Sequence, residues 1–186
     1  MIREIAKYGA KVLREKATPV TTVDNRTKQL ADDLFDSLGK AEGVGLAAPQ
    51  IGISRRVIVV DVSSQHADVP PIALINPRVL LAEGKEMDEE GCLSIPDLYG
   101  DVERAIRIEV EALDITGNTF QFVAEDFYAR VLQHEIDHLD GVLFVDHISP
   151  LKRQLMRGAL KRLKKEGETW DRQNQDLATS YSASKN

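Results

Sequence analysis

The feature that most constrains this chain is a pair of histidines, His134 and His138, which flank Glu135 in the sequence His-Glu-Ile-Asp-His. On an α-helix, two residues four apart lie on the same face, with about 5–6 Å between their Cβ atoms. Both imidazoles could then bind one metal ion, while Glu135 could face a metal-bound water without being a ligand. This arrangement is typical of metal-assisted hydrolysis. The alternative is a hydrogen-bonded pair of core histidines.

The residues around this motif predict a helix over residues 125–139, because apolar side chains recur there with helical spacing. Phe127 and Val131 share one stripe with His134 and His138, which places both histidines on the apolar, inward-facing side of the helix. Two inward histidines at this spacing beside a glutamate favour a metal site over a purely structural pair.

The other patterns predict an α+β fold, in which short antiparallel β-sheets are packed around the central helix that carries the two histidines. Alternating or β-branched runs predict strands over residues 57–62, 72–75, 79–81, 106–112 and 119–123, the last two forming a hairpin. An amphipathic pattern predicts a helix over residues 27–41. A C-terminal helix begins at Ser149–Pro150 and is expected to be apolar on the side of Leu151, Leu155, Leu160 and Leu163.

Length and composition indicate one globular domain. The chain has 186 residues, of which 42% are apolar and 29% charged. We assign residues 1–166 to the domain and residues 167–186 to a loose, polar tail. No apolar run approaches the roughly 20 residues of a membrane span, and the net charge of −6 argues against wholesale nucleic-acid binding. Cys92 is the single cysteine, so we expect a reducing, cytoplasmic location. Nothing demands more than a monomer.

A third metal ligand is expected, because catalytic metal ions usually take three protein ligands and keep one position open. A histidine six residues after the second one is excluded, since that position is Phe144. Glu166 and Glu168 lie in a lysine-rich polar segment, a poor place for a ligand. Cys92 is the better candidate, because a thiolate is a strong ligand and the preceding Gly91 lets the backbone approach closely.

A glycine-rich stretch over residues 43–50 reads Gly-Val-Gly-Leu-Ala-Ala-Pro-Gln. It is not a dinucleotide-binding motif, because it follows a predicted helix and runs into a proline, whereas that motif follows a strand and opens a helix. Two interpretations remain open for it. It is either an ordinary loop that ends a helix, or a backbone-lined wall beside the metal with Gln50 as an amide donor.

Three motifs occur in order along the chain, at residues 43–50, at residues 90–94 (Glu-Gly-Cys-Leu-Ser) and at residues 133–138 (Gln-His-Glu-Ile-Asp-His). Together they resemble the three signature motifs of peptide deformylases, and the resemblance extends from about Ile5 to about Ile148. It implies a hydrolase that removes the formyl group from the N-terminal methionine of nascent N-formylmethionyl polypeptides.

The resemblance also implies a metal ion and its chemistry. Cys92, His134 and His138 would bind the ion, which in this family is usually Fe²⁺; Zn²⁺, Ni²⁺ or Co²⁺ could substitute. A Cys-His-His site favours Zn²⁺ over Fe²⁺ on affinity, so the expectation of iron rests on the resemblance alone. Glu135 would be the general base.

Further roles follow from the same resemblance. The Gln50 side chain and the Leu93 backbone N–H would stabilise the oxyanion, and Glu90 and Arg104 match a family pair that braces the cysteine loop. Tyr99 occupies a place where some relatives carry arginine, which leaves the preference for later substrate residues open.

The substrate needs an apolar pocket for methionine and a wall for its backbone. Val44, Phe127 and Val131 are candidates for the pocket, although each singly could be plain core. The peptide is expected to lie extended along Gly43 to Gly45, pairing with backbone groups as an added strand.

Three further hypotheses accompany this one. The basic face of the C-terminal helix suggests contact with the ribosome, and its simpler interpretation is a solvated face over a leucine stripe. A zinc endopeptidase is a second enzymatic interpretation. A metal-stabilised binding module without catalysis would need a fourth protein ligand, which the sequence does not offer.

Overall fold

The computed structural model describes residues 1–174 and confirms the α+β fold. Within this part of the chain, no helix is both long and apolar enough to cross a membrane. Three α-helices and seven strands follow one another in residues 1–174 as α1 (Asn25–Ala41), β1 (Gly45–Ala47), β2 (Val57–Val60), β3 (Ile72–Glu83), β4 (Glu86–Cys92), β5 (Ile95–Arg104), β6 (Arg107–Leu113), β7 (Thr119–Glu125), α2 (Asp126–Leu139) and α3 (Pro150–Gln173).

These strands form two antiparallel sheets. The larger sheet has the order β1-β2-β3-β6-β7, and β4 pairs with β5 in a separate hairpin. The predicted strands at residues 72–75 and 79–81 are one strand, β3, because Asn76 adopts a positive φ and the register shifts between Ile75 and Arg78, which accommodates Pro77. Sequence analysis missed the β4–β5 hairpin, since residues 86–89 are exposed throughout and show no alternation.

Helix α2 lies across the larger sheet and contacts β1, β2, β6 and β7. Its buried face includes Ala129, Leu132 and Leu139, which belong to one apolar cluster with residues of β2 and β6. Phe127 stands at the edge of this face, 36% exposed. The helix is thereby held in the centre of the molecule, with its histidines turned towards the β4–β5 hairpin.

Helix α3 corrects two predictions. Leu151 and Leu155 are not on its buried side: they are 69% and 76% exposed. The buried stripe is Met156, Leu160, Leu163, Gly167 and Trp170, which packs with Ala6, Ala10 and Leu13 of the N-terminal segment. The stripe starts later because the first turns of α3 contact little of the domain.

The expected loose tail from Gly167 is also wrong for its first residues. Residues 167–173 continue α3, and Gly167 packs so closely that a Cβ would lie 2.4 Å from the backbone nitrogen of Ala10. Trp170 is 6% exposed. The remainder of that predicted tail, residues 175–186, lies outside the described residues.

Candidate metal centre

A cysteine and two histidines from distant parts of the chain meet beside a cleft. Cys92 ends β4, while His134 and His138 are one turn apart on α2. One potential ligand atom from each lies within 4.8 Å of the others, and the Cys92 sulfur is 3.3 Å from Nε2 of His138. The structure thus brings together the three residues that the sequence grouped, in an arrangement that could hold one metal ion.

An irregular hairpin presents Cys92 to α2. Pairing steps from Gly91–Tyr99 directly to Cys92–Ile95, so that residues 96–98 bulge out of β5. Gly91 lies against the Tyr99 ring, and a Cβ at this glycine would be 2.7 Å from a ring carbon. A side chain at position 91 would therefore require the Tyr99 ring to move away from the strand that ends at Cys92.

The charges at the cysteine suit a metal ligand. Burial acts to raise the pKa of the Cys92 thiol, but the imidazoles of His138 and His134 outweigh it and hold that pKa well below its usual value. The thiolate is the form that binds metals. His134 uses Nδ1 to contact Glu90 at 3.0 Å, which leaves its other ring nitrogen for the centre. A thiolate and two imidazoles form a donor set that fits a divalent transition metal.

Glu135 is buried next to this group, at 4% exposure. Its Oε2 has no hydrogen-bond partner among residues 1–174. Burial raises the pKa of Glu135 to about 7, although the neighbouring His134 and His138 act to lower it. Gly45 makes room for this carboxylate, since a Cβ there would lie 2.5 Å from Glu135 Oε1. A buried carboxyl with one free oxygen at such a place can accept and return a proton.

Glu90 connects the hairpin to α2. Its carboxylate accepts hydrogen bonds from Arg104 and Arg130, both buried, and contacts His134. Burial acts to raise the pKa of Glu90, but hydrogen bonds to His134 and Arg104 lower it to about 2. Glu90 is therefore a fixed negative charge that orients the His134 ring.

Gln50 and Leu93 border the same space. The Gln50 side chain accepts from the Ala47 N–H at 2.8 Å, and its Nε2 lies 3.3 Å from the Ser94 hydroxyl and 3.6 Å from the Cys92 sulfur. This fixes which end of the amide faces the sulfur. The Leu93 carbonyl accepts from the Lys7 ammonium at 3.0 Å, so the turn after Cys92 is also anchored.

A cleft of about 580 Å³ opens above the centre. All predicted substrate residues line it, namely Val44, Gly45, Phe127 and Val131, and so do Gln50, Cys92, Leu93, His134 and Glu135. His138 is 1% exposed and lies beneath them. Strand β1 forms one edge of the larger sheet in the described part of the chain, and Gly45 at its start lines the cleft.

Sequence reasoning missed two residues of this site. Lys7 lines the cleft from an N-terminal segment that showed no functional pattern. Arg130 resembles a solvated helix residue in sequence, yet it is 6% exposed and bonded to Glu90. Its place four residues before His134 was the available signal, because that spacing puts both side chains on one face.

The fold and the site together define a metal-dependent hydrolase. Residues 2–154 match the family model described as Polypeptide deformylase. A peptide deformylase of Acidobacterium capsulatum is 46% identical over 168 residues, which is 90% of this chain and 99% of that protein. The crystal structure of a peptide deformylase from Legionella pneumophila is 44% identical with a TM-score of 0.82, covering 89% of this chain and 96% of that one.

A second solved relative agrees. The peptide deformylase of Thermus thermophilus has 42% identity and a TM-score of 0.82, with coverage of 89% of this chain and 99% of that one. The chain belongs to the polypeptide deformylase family. It is a metal-dependent hydrolase that removes the N-formyl group from nascent polypeptides.

Proposed function

We propose that this deformylase acts on N-formylmethionyl chains with Fe²⁺ held by Cys92, His134 and His138. The observation that carries the proposal is the convergence of one sulfur and two imidazoles within 4.8 Å beside a buried glutamate. When bound, the ion supplies polarisation of the formyl oxygen and a lowered pKa of its water. Iron rather than zinc rests on family resemblance, and Zn²⁺, Ni²⁺ or Co²⁺ fit the same donors.

Glu135 is the general base and acid of the proposed reaction. Its Oε2 is the buried oxygen without a partner among the described residues, so it is free to take a proton from the attacking water. The same oxygen then delivers that proton to the departing α-amine. Gly45 keeps the space beside Glu135 open, because a side chain there would collide with the carboxylate.

Two donors stabilise the oxyanion in this proposal. The Gln50 amide group is held by Ala47 and Ser94 and faces the Cys92 sulfur. The Leu93 N–H belongs to the turn that follows Cys92. Removing one such donor typically lowers kcat by about 10²–10³.

The substrate lies along the cleft. Its methionine side chain contacts Val44, Phe127 and Val131, which all line the cleft. Its backbone pairs with the free edge of β1 at Gly45. Glu135 packs closely against Gly45, and the Leu93 side chain packs closely against Gly43. Because the formyl group is small, such a close-packed site can exclude bulkier acyl groups.

The decisive experiment compares wild type and Glu135→Gln. The substitution removes the proton acceptor at nearly constant volume, so we expect bound metal and fold to persist while formate release from a formyl-Met tripeptide falls by about 10²–10⁴. Elemental analysis of protein purified without air gives the ion, and intact internal peptide bonds distinguish a deformylase from an endopeptidase. Glu103→Gln, in an exposed glutamate of β5, is the control. Retained turnover in Glu135→Gln would contradict the assignment of the base.

We further propose that residues 1–174 act as one monomeric catalytic unit in the cytoplasm and contact the ribosome through α3. The exposed basic residues of this helix are the support; they are Lys152, Arg153, Arg157, Lys161, Arg162, Lys164 and Lys165. Within residues 1–174, only Arg153 of this set forms an ion pair. Charge reversal at Lys161, Arg162 and Lys165 is expected to reduce co-sedimentation with ribosomes without changing tripeptide turnover. Unchanged co-sedimentation would end this part of the proposal.

A further inference from the structure

Arg130 is a buried guanidinium at the base of the cleft, one helical turn before His134 on α2. Its NH1 donates to Glu90 Oε1 at 3.0 Å and to the Val102 carbonyl at 2.9 Å, and its NH2 donates to the Glu86 carbonyl at 2.9 Å. One side chain of α2 is thus bonded to both strands of the β4–β5 hairpin. A planar guanidinium can do this because its donors point in fixed, divergent directions.

The carboxylate that Arg130 contacts is shared with a proposed metal ligand. Glu90 Oε1 also accepts from Nε of Arg104 at 2.9 Å, while Oε2 accepts from NH2 of Arg104 at 3.0 Å and contacts Nδ1 of His134 at 3.0 Å. Each oxygen therefore has two partners. With all four positions occupied, the carboxylate cannot rotate without breaking a charge-assisted hydrogen bond.

The two arginines approach Glu90 from different sides. Arg104 lies on β5, in the same hairpin as Glu90, and also bonds to Asp137 of α2. Arg130 comes from α2 itself, on the N-terminal side of His134, whereas Asp137 is on its C-terminal side. The helix is consequently attached to the hairpin both before and after the first histidine.

We propose that Arg130 is a positioning residue of the metal centre. Cys92 follows Glu90 by two residues on β4, and both histidines are on α2, so the bond between Arg130 and Glu90 sets the distance between the sulfur and the imidazoles. It also fixes the ring plane of His134 through the shared carboxylate. The inference rests on the proposed ligand set of Cys92, His134 and His138.

The test compares Arg130→Met with Gln133→Ala. Gln133 is a matched control, because it too lies on α2 and makes three hydrogen bonds, to Ala105 N–H, Ala105 C=O and Ala129 C=O, none of them to Glu90. Both variants lose attachments of the helix, but only Arg130→Met removes a hydrogen-bond donor from the Glu90 carboxylate. The probe is Co²⁺, whose dissociation constant is measured by chelator competition and whose visible absorption reports the ligand geometry.

We expect Arg130→Met to raise the Co²⁺ dissociation constant at least about tenfold. This is the lower end of the affinity loss that follows when a metal ligand loses a hydrogen-bonding partner. Its absorption spectrum should change, while Gln133→Ala keeps the wild-type constant and spectrum. Arg130→Lys retains the charge but not the forked donors, so its dissociation constant should fall between wild type and Arg130→Met. If Arg130→Met does not fold, Arg130→Lys is compared with Gln133→Ala in the same way.

Wild-type affinity and spectrum in the Arg130 variants would overturn the inference, as would an equal loss in Gln133→Ala. Cys92→Ser separates this outcome from failure of the ligand assignment. If Cys92→Ser binds Co²⁺ as wild type does, the proposed ligand set is wrong; if it loses Co²⁺ while the Arg130 variants retain it, only the role of Arg130 is wrong.

Discussion

Two regions of the molecule are rich in charged residues: the contact between the β4–β5 hairpin and α2, and the helix α3. Their charged side chains differ in burial and in role. At the hairpin, Glu90, Arg104 and Arg130 are buried, and each has several partners with fixed geometry. On α3 the basic side chains are exposed, and an apolar stripe ending at Trp170 holds the helix in place. Buried charges thus define the site, whereas apolar burial supplies the attachment of α3.

The largest effect on stability is expected where α3 packs. Trp170→Ala should lower the free energy of unfolding by about 3–5 kcal/mol, because it leaves a large cavity against the N-terminal segment. Urea unfolding of protein carrying the same metal measures this. Leu155→Ala, 76% exposed on the same helix, is the control and should change stability by less than about 0.5 kcal/mol. Similar values for both would remove the distinction between the two faces of α3.

At the site, the expected loss is in rate rather than stability. Gln50→Ala should lower kcat by about 10²–10³ with little change in KM, since the amide acts on the charge that develops during reaction. Steady-state formate release measures both constants. Gln121→Ala, in an exposed glutamine of β7, should leave them unchanged. A rise in KM alone would show that Gln50 binds substrate and has no oxyanion role.

Gly45→Ala tests how tightly the site is packed. The new Cβ would overlap Glu135 Oε1 and push the carboxylate by about 1 Å, a displacement that typically costs about a hundredfold in rate. The metal content should not change. Gly39→Ala is the control, because nothing lies within 4 Å of a Cβ at that helical position. Full activity in Gly45→Ala would mean that Glu135 can move without loss.

The smallest expected effect concerns pH. Burial acts to raise the pKa of Asp146, but hydrogen bonds from Arg14 and the Leu143 N–H lower it overall. A lowered folded pKa means that Asp146 stabilises the protein above its unfolded pKa of about 3.9, and that this contribution disappears as pH falls through the folded value.

Asp146→Asn should therefore cost about 1 kcal/mol or less at neutral pH and flatten the acid dependence of unfolding. Unfolding curves between about pH 2 and 5 measure the slope. Asp101→Asn, an exposed residue of β5, should leave that slope as in wild type. An unchanged slope in Asp146→Asn would assign the acid sensitivity to other carboxylates.

Parts of this molecule could be predicted because local pattern and tertiary environment agree. The α2 helix and the β6–β7 hairpin have one buried face each, so their periodicity is visible in sequence. Strand β4 is acidic and exposed, and only its pairing with β5 makes it a strand. The wrong prediction for the buried side of α3 has a similar origin. Leu151 and Leu155 have the spacing of an apolar helical stripe, but the rest of the domain does not cover them.

The site divides in the same way. His134, Glu135 and His138 follow from spacing on one helix, whereas Cys92 could be selected only by its chemistry and by family resemblance. For Arg130 the sequence offered only its spacing from His134, because the partner that distinguishes it from a solvated arginine is 40 residues away. Long-range pairing of charges leaves no periodic signal.

The attachment of α3 to the N-terminal segment has a consequence for synthesis of the chain. Ala6 and Tyr8 donate backbone hydrogen bonds to the carbonyls of Gln50 and Ser94, so this segment supports both proposed oxyanion elements from behind. Ala6 and Ala10 are in turn covered by α3. Synthesis of a polypeptide proceeds from the N-terminus to the C-terminus. The segment that bonds to Gln50 and Ser94 therefore gains its apolar cover only after residues 150–173 have been synthesised.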